Sequence, residues 1–217
     1  MKHSITISDL THEAFKQAQE NYHDQRGQYL EYISQLFWWN KRVNLISRDV
    51  SHETMVRHVQ HSLLLTTLEE VKKAEYILDT GSGGGLPAIP LSIHFRDKKV
   101  VANDIVSKKM MAIKQIGRKL GCTNFDTITT SIKNYELSTN ELIVSKYAFK
   151  VGELIAYLEG KSWRQIIFLK GENEAKEEIE EVSIALDTEI LRLDPTISDP
   201  FYTRKAIVKV RRKDEKL

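Results

Sequence analysis

Residues 76–93 read YILDTGSGGGLPAIPLSI, and the order of residue types in this stretch decides the fold. Ile77 and Leu78 form a short apolar run that Asp79 closes; Gly81, Gly83, Gly84 and Gly85 follow, and a new apolar run opens at Leu86. These signals predict a strand, a tight turn and a helix. Glycines permit positive φ and let a ligand approach the backbone without meeting a Cβ. Unpaired N–H groups at the next helix start favour a carboxylate or phosphate, and Pro87 suits the first helical turn.

The glycine spacing separates cofactors. A dinucleotide site needs G-x-G-x-x-G. Gly81, Gly83 and Gly85 give G-x-G-x-G, with Asp79 two positions before the first glycine. That pattern disfavours an NAD-dependent oxidoreductase and resembles the S-adenosylmethionine loop of Rossmann-like methyltransferases. Residues 99–103, KVVAN, predict the next strand, with Asp104 at its end, 25 positions after Asp79. A carboxylate about 20 residues beyond the glycine turn is where ribose hydroxyls are bound.

At 217 residues the chain suits one domain with an extension, and 41% hydrophobic residues can fill its core. A single cysteine, Cys122, excludes an intramolecular disulfide framework and suits the cytosol. No apolar run is long enough to span a bilayer, and MKHSITISDL lacks the pattern of a signal peptide. The net charge of +2 leaves RNA affinity to local basic patches.

Upstream of the glycine stretch the pattern is helical. Ser8 is the expected cap of a first helix carrying Leu10, Ala14, Phe15 and Ala18, and a second helix aligns Leu30, Ile33, Leu36 and Phe37. Trp38 and Trp39 suit core packing or base stacking; Lys41, Arg42 and Arg48 suit phosphates or solvent. A third helix over about 51–68 starts at Ser51 and buries Met55, Val56, Val59 and Leu63, with Arg57, His58 and His61 on its other face. His58 and His61 lack a third ligand at metal spacing, so no metal is expected. Residues 1–70 therefore read as a helical N-terminal cap on a catalytic domain of residues 71–217.

Downstream, strands and helices alternate, which predicts a mainly parallel sheet with helices on both faces. A helix from Ser107 to Leu120 buries Ile113, Ile116 and Leu120 before a Gly121 cap and exposes Lys108, Lys109, Lys114, Arg118 and Lys119. Strands are expected near 125–129, 142–144 and 166–169, and residues 172–187 form an acidic helix with Ala175, Ile179, Val182 and Leu186 inward. Strands near 188–193 and 206–210 form an antiparallel hairpin on the sheet edge, followed by a basic tail from Arg204 to Lys213.

The strings WNKRVNLISRD (39–49), RHVQHS (57–62), LDTGSGGGLPAIPLSI (78–93), DIVSKK (104–109), VSK (144–146) and LKG (169–171) resemble the ribosomal RNA small subunit methyltransferase G family, also called glucose-inhibited division protein B. The resemblance implies a Rossmann-like class I fold with a helical cap. It also implies transfer of a methyl group from S-adenosylmethionine to N7 of guanine 527 of 16S ribosomal RNA. It assigns cofactor binding to Asp79, Gly81, Ser82, Gly83, Gly85, Leu86 and Asp104, with Ser131 and Ile132 lining the adenine pocket. Asn44, His58 and Lys146 fall on the catalytic, target side, and Lys146 also borders the cofactor. The chain departs from the family at Lys146, usually arginine, at Ile132, often arginine, and at Ala88, commonly glycine. Lysine keeps the charge but loses the planar fork.

The implied partner is 16S RNA or the small ribosomal particle, for a cytoplasmic monomer with no membrane or DNA partner. The open alternatives are a methyltransferase for another RNA, a small molecule or a protein, and a non-catalytic RNA-binding relative.

Overall fold

The computed structural model describes residues 3–213. Sixteen elements alternate along them: β1 (Ser4–Asp9), α1 (His12–Asp24), α2 (Arg26–Asn40), α3 (His52–Leu63), α4 (Glu69–Lys73), β2 (Tyr76–Thr80), α5 (Ala88–His94), β3 (Lys99–Asp104), α6 (Ser107–Lys119), β4 (Phe125–Thr129), β5 (Glu141–Lys146), α7 (Val151–Tyr157), β6 (Gln165–Gly171), α8 (Glu172–Glu181), β7 (Leu186–Arg192) and β8 (Lys205–Arg212). The strands form one sheet in the order β1-β7-β8-β6-β5-β2-β3-β4. β8 runs antiparallel to both its neighbours; the other pairings are parallel.

Period-two alternation sorts the strand side chains between two cores. Ile77, Val144, Ile167, Leu169 and Ile207 face the helices α1 to α6. Leu78, Ile143, Ile166, Phe168 and Val208 face α7 and α8. Both faces are thus covered, as a parallel sheet requires. The chain leaves β2 for β3 on one side, and β5 pairs on the other. This order reversal opens a crevice at the C-terminal ends of β2 and β5, where open α/β sheets bind ligands.

Several expectations need correction. Ser8 does not cap a helix: it lies in β1, which pairs in parallel with β7. Residues 4–9 read SITISD, an alternation that favours a strand. Thr11 is the cap instead, its hydroxyl accepting from Ala14 N at 3.1 Å. The segment before residue 70 is therefore not wholly helical.

In α2 the buried residues are Tyr29, Tyr32, Ile33 and Leu36, whereas Leu30 and Phe37 are half-buried. α3 begins after Ser51 as expected, but it ends at Leu63 and passes into a 3-10 turn over Leu64–Thr67. The acidic helix stops at Glu181, and Leu186 is buried as the first residue of β7. The C-terminal hairpin is antiparallel but does not form the edge, because β1 adds beyond β7. The basic residues of β8 are partly engaged at home: Lys209 lies 3.2 Å from both Glu70 and Glu189, and Arg211 lies 3.3 Å from Glu70.

Lys170, 2% exposed at the end of β6, pairs with Glu178 of α8 and donates to the Phe149 carbonyl at 3.2 Å. Glu178 also accepts from Val151 N at 2.8 Å, so one carboxylate joins β6, α7 and α8. Removing one member of a buried pair leaves an uncompensated charge. Glu178→Ala should lower the unfolding free energy by about 3–5 kcal/mol in urea titrations, and Glu178→Gln, which keeps an acceptor, should lower it less.

Candidate functional site at the ends of β2 and β5

The site is built where β2 gives way to the glycine turn. Gly81 N and Ser82 N both donate to the Asn103 carbonyl, at 2.8 and 3.0 Å, which ties the turn to β3. Gly81, Gly83 and Gly85 have φ of 72°, 53° and 93°, so three of the four clustered glycines occupy the left-handed region. A Cβ on Gly81 would overlap that of Ala148, so the turn after β5 packs directly on the glycine loop. A Cβ on Gly83 would meet nothing closer than the Gly81 carbonyl at 4.0 Å, so room remains above this residue.

Asp79 lies beneath the loop, fully buried. Its Oδ2 accepts from Ser82 Oγ at 2.5 Å and from Ala88 N at 3.1 Å. The helix-start amide expected to await a ligand is thus satisfied internally. Pro87 is the residue before α5, not its first residue, and follows a cis bond. Burial raises the Asp79 carboxyl to about 7, against the hydrogen bonds from Ser82 and Ala88 and the nearby Lys146 ammonium, with Asp104 adding a smaller upward push.

Asp104 ends β3 beside this loop. Its Oδ2 accepts from Gly83 N at 3.1 Å and its Oδ1 from Val106 N at 2.9 Å. The carboxylate is half-buried at the crevice. Leu86 is half-buried and joins the core from the loop's far end. Ser131 accepts from Lys133 N at 3.4 Å at the head of the short turn Ile132–Asn134. Ile132 is 3% exposed and packs in the cluster containing Leu78 and Ile143.

On the opposite wall, Lys146 reaches α3. Its Nζ donates to the His58 carbonyl at 3.1 Å and lies 3.3 and 3.4 Å from Nδ1 of His58 and His61. Burial and the Lys205 ammonium bring Lys146 down to about 7, against the pull of Asp79. Burial, then Lys146 and Lys205, push His58 down to about 3, and the same burial holds His61 well below the usual range. Both imidazoles are neutral near pH 7. His61 was expected on the exposed face with His58; it is fully buried instead, with its ring 5.9 Å from Tyr202 and 6.1 Å from Phe201. The segment joining β7 to β8 folds back over α3 and encloses it. Arg57 Nε donates to Asp199 at 2.7 Å across the same contact.

The structure therefore unites Lys146 with His58 and sets Asp104 against Gly83. Asn44 is exposed and makes no hydrogen bond to either Lys146 or His58. It rides on a loop that Asn40 holds, the Asn40 Oδ1 accepting from Leu45 N at 2.8 Å and Ile46 N at 3.0 Å. That loop touches the site, because a Cβ on Gly84 would come within 3.2 Å of Ile46 and of the Leu45 carbonyl. Of the paired tryptophans, Trp39 joins the core and Trp38 is exposed, with the Arg42 guanidinium 4.1 Å above its ring.

Three supporting residues escaped the sequence reading. Tyr32 donates to the Gly84 carbonyl at 2.8 Å. Asn103 accepts from Thr80 at 3.1 Å and donates to the Thr130 carbonyl at 2.9 Å, fastening β2, β3 and β4 together. Asn40 holds the loop described above. An amide inside an apolar strand was the available signal for Asn103. Nothing local marked Tyr32.

A sheet of this order, a glycine turn at its switch point and a facing carboxylate define a Rossmann-like class I methyltransferase. The magnesium protoporphyrin IX methyltransferase of Synechocystis shares this fold at a TM-score of 0.56 and 16% identity, covering 81% of this chain and 89% of that one. The O-methyltransferase of Bacillus cereus does so at 0.55 and 14%, covering 84% and 90%. The sequence profile described as rRNA small subunit methyltransferase G matches residues 25–193. Ribosomal RNA small subunit methyltransferase G of Chlorobaculum tepidum is 32% identical over 187 residues, 82% of this chain and 86% of that protein. The protein of the same name from Flavobacterium psychrophilum is 27% identical over 180 residues, 79% and 84% of the two chains. The chain belongs to the rRNA small subunit methyltransferase G family.

Gly81→Ala should cost about 1–3 kcal/mol for the overlap with Ala148, in addition to about 1–2 kcal/mol for a left-handed alanine. Gly83→Ala should cost the backbone term alone, and thermal unfolding compares the two. Asp79 also makes stability depend on pH. Its raised carboxyl contributes stability that is fully present below the ordinary value of 3.8 and lost as pH rises to about 7. The advantage of Asp79→Asn over wild type should therefore grow across that window and level off above it, by at most about 1.4 kcal/mol per pH unit.

Proposed function

We propose that this protein transfers a methyl group from S-adenosylmethionine to N7 of a guanine in 16S ribosomal RNA, position 527 by the family resemblance. The observation that carries the reading is the glycine turn faced by Asp104 across an open Gly83, in a chain of this family. With no Cβ at Gly83, a nucleoside would lie against bare backbone there. Asp104 would hold its ribose hydroxyls. Gly81, Gly83, Gly85, Ser82 and Leu86 would shape the cradle, and Ser131 and Ile132 would flank the adenine. Asp79 would act from beneath, by fixing the loop, since its carboxylate is fully buried.

When bound, S-adenosylmethionine supplies an electrophilic methyl group on a sulfonium. Guanine N7 has a free lone pair in the ring plane and no proton to lose. Transfer would form the N7–CH3 bond as the S–CH3 bond breaks, leaving the positive charge on the purine and the sulfur neutral. No general base is required, and the protein's task is positioning and electrostatics. Lys146, partly neutral under burial, presents less repulsion to the charge that N7 acquires than a full ammonium would. It also holds α3 through the His58 carbonyl. His58, neutral, would border the target base, and Asn44 would approach it from its loop.

In this reading the helices before residue 70 wall the target side, and residues 71–217 hold the cofactor. We take the protein to be a cytoplasmic monomer acting on RNA or on the small ribosomal particle. Among the described residues no helix is long and apolar enough to cross a membrane.

The test is 16S RNA and small subunits from a strain lacking the modification, incubated with protein and donor. Cleavage at N7-methylguanine followed by primer extension should stop at position 527. Donor binding without a stop on either substrate would overturn the reading. Asp104→Ala should weaken donor affinity, read by calorimetry on the folded variant, at least about tenfold, the loss of one charge-assisted hydrogen bond of about 1.5–3 kcal/mol.

A further inference from the structure

The residue after Lys146 carries a strained backbone and a part-exposed side chain. Tyr147 has φ 52°, and with Arg204 it is one of two non-glycine residues at positive φ among the described residues. Bulky side chains in this region are strained and persist only where the surroundings over-determine them. Here they do. Tyr147 N donates to the Leu169 carbonyl at 3.1 Å, carrying the β5–β6 pairing one residue past Lys146. Ala148 and Phe149 then wedge against Gly81. The turn is thereby fixed between β6 and the glycine loop, at the mouth of the crevice.

The side chain gains nothing visible from this placement. Tyr147 is 45% exposed and belongs to neither apolar core. Its one aromatic neighbour is His61, 6.2 Å away and tilted by 53°. The other exposed aromatics differ. Trp38 has the Arg42 guanidinium over its ring and the edge of Trp39 at 5.1 Å. Tyr76 begins β2, at the end of the sheet opposite the crevice. Among the described residues, Tyr147 is the exposed ring that sits at the site.

We propose that Tyr147 is the stacking wall for the target guanine, holding the base plane so that its in-plane N7 lone pair points at the methyl group. This rests on the function proposed above and adds to it the residue that orients the base. A base presented for chemistry leaves its own stack and needs a substitute surface. Stacking on an aromatic side chain contributes about 1–3 kcal/mol per base, a factor of roughly 5 to 150 in rate or affinity. The neighbouring Lys146 and His58 would then meet the edge of the base and not its face.

The test measures kcat/KM on unmodified 16S substrate together with donor affinity by calorimetry. Tyr147→Asn is the informative variant, because asparagine tolerates positive φ and removes the ring. It should lose roughly 5- to 150-fold in kcat/KM with donor affinity within about twofold of wild type. Tyr147→Leu, which keeps apolar bulk without a π face, should lose a similar factor. Tyr147→Phe should recover most of the loss, to within about threefold. Wild-type kcat/KM in the folded Asn and Leu variants would overturn the inference while leaving the function intact. Equal loss in the Phe variant would also overturn it, by making the hydroxyl the working group. A wild-type protein that binds donor but leaves N7 unmodified would remove the function and this inference together.

Discussion

The Asp79 carboxylate is the constraint on which the site depends. It sits at the end of a central strand, fully buried, and one of its oxygens takes the Ser82 hydroxyl and the first amide of α5. Strand, turn and helix are thereby joined at a single atom. Burying a carboxyl is costly unless it is hydrogen-bonded, and the rise of Asp79 to about 7 records that cost. Three left-handed glycines above it have no side chains to hold them in place. The carboxylate below and the Asn103 carbonyl beside supply the fixed points.

The crevice then has two walls of different character. One wall is backbone: Gly83 faces Asp104, and Asn103 fastens the ends of three strands beside it. The other wall is made of side chains from distant parts of the chain. Lys146 of β5 grips α3, while Phe201 and Tyr202, just before β8, close over His58 and His61. Burial, with the Lys146 and Lys205 ammoniums nearby, holds both imidazoles below their usual range. The buried Lys170–Glu178 pair fixes the neighbouring turn from the other face of the sheet.

Much of this was legible in the chain because its signals are local. The G-x-G-x-G turn, the alternation of apolar strands with amphipathic helices, the Ser51 cap and the Gly121 stop each depend on residues within a few positions of one another. The errors share a cause. Ser8 looked like a cap because the strand partner that claims residues 4–9 lies in β7, more than 170 positions away. His61 looked exposed because the aromatic segment that covers it belongs to another part of the chain. Leu186 fitted a helical stripe that β7 interrupts.

Backbone preference and residue spacing act locally, and they were enough to set the class of fold, the glycine turn and the carboxylate facing it. Tertiary packing settled which groups gather opposite the glycine turn. It brought Lys146 to α3, buried His61 beneath Phe201 and Tyr202, placed Asp79 under the loop and left Tyr147 part-exposed beside it. Burial and charge environment are properties of what packs around a residue, and those neighbours arrive from strands and helices far away in the chain.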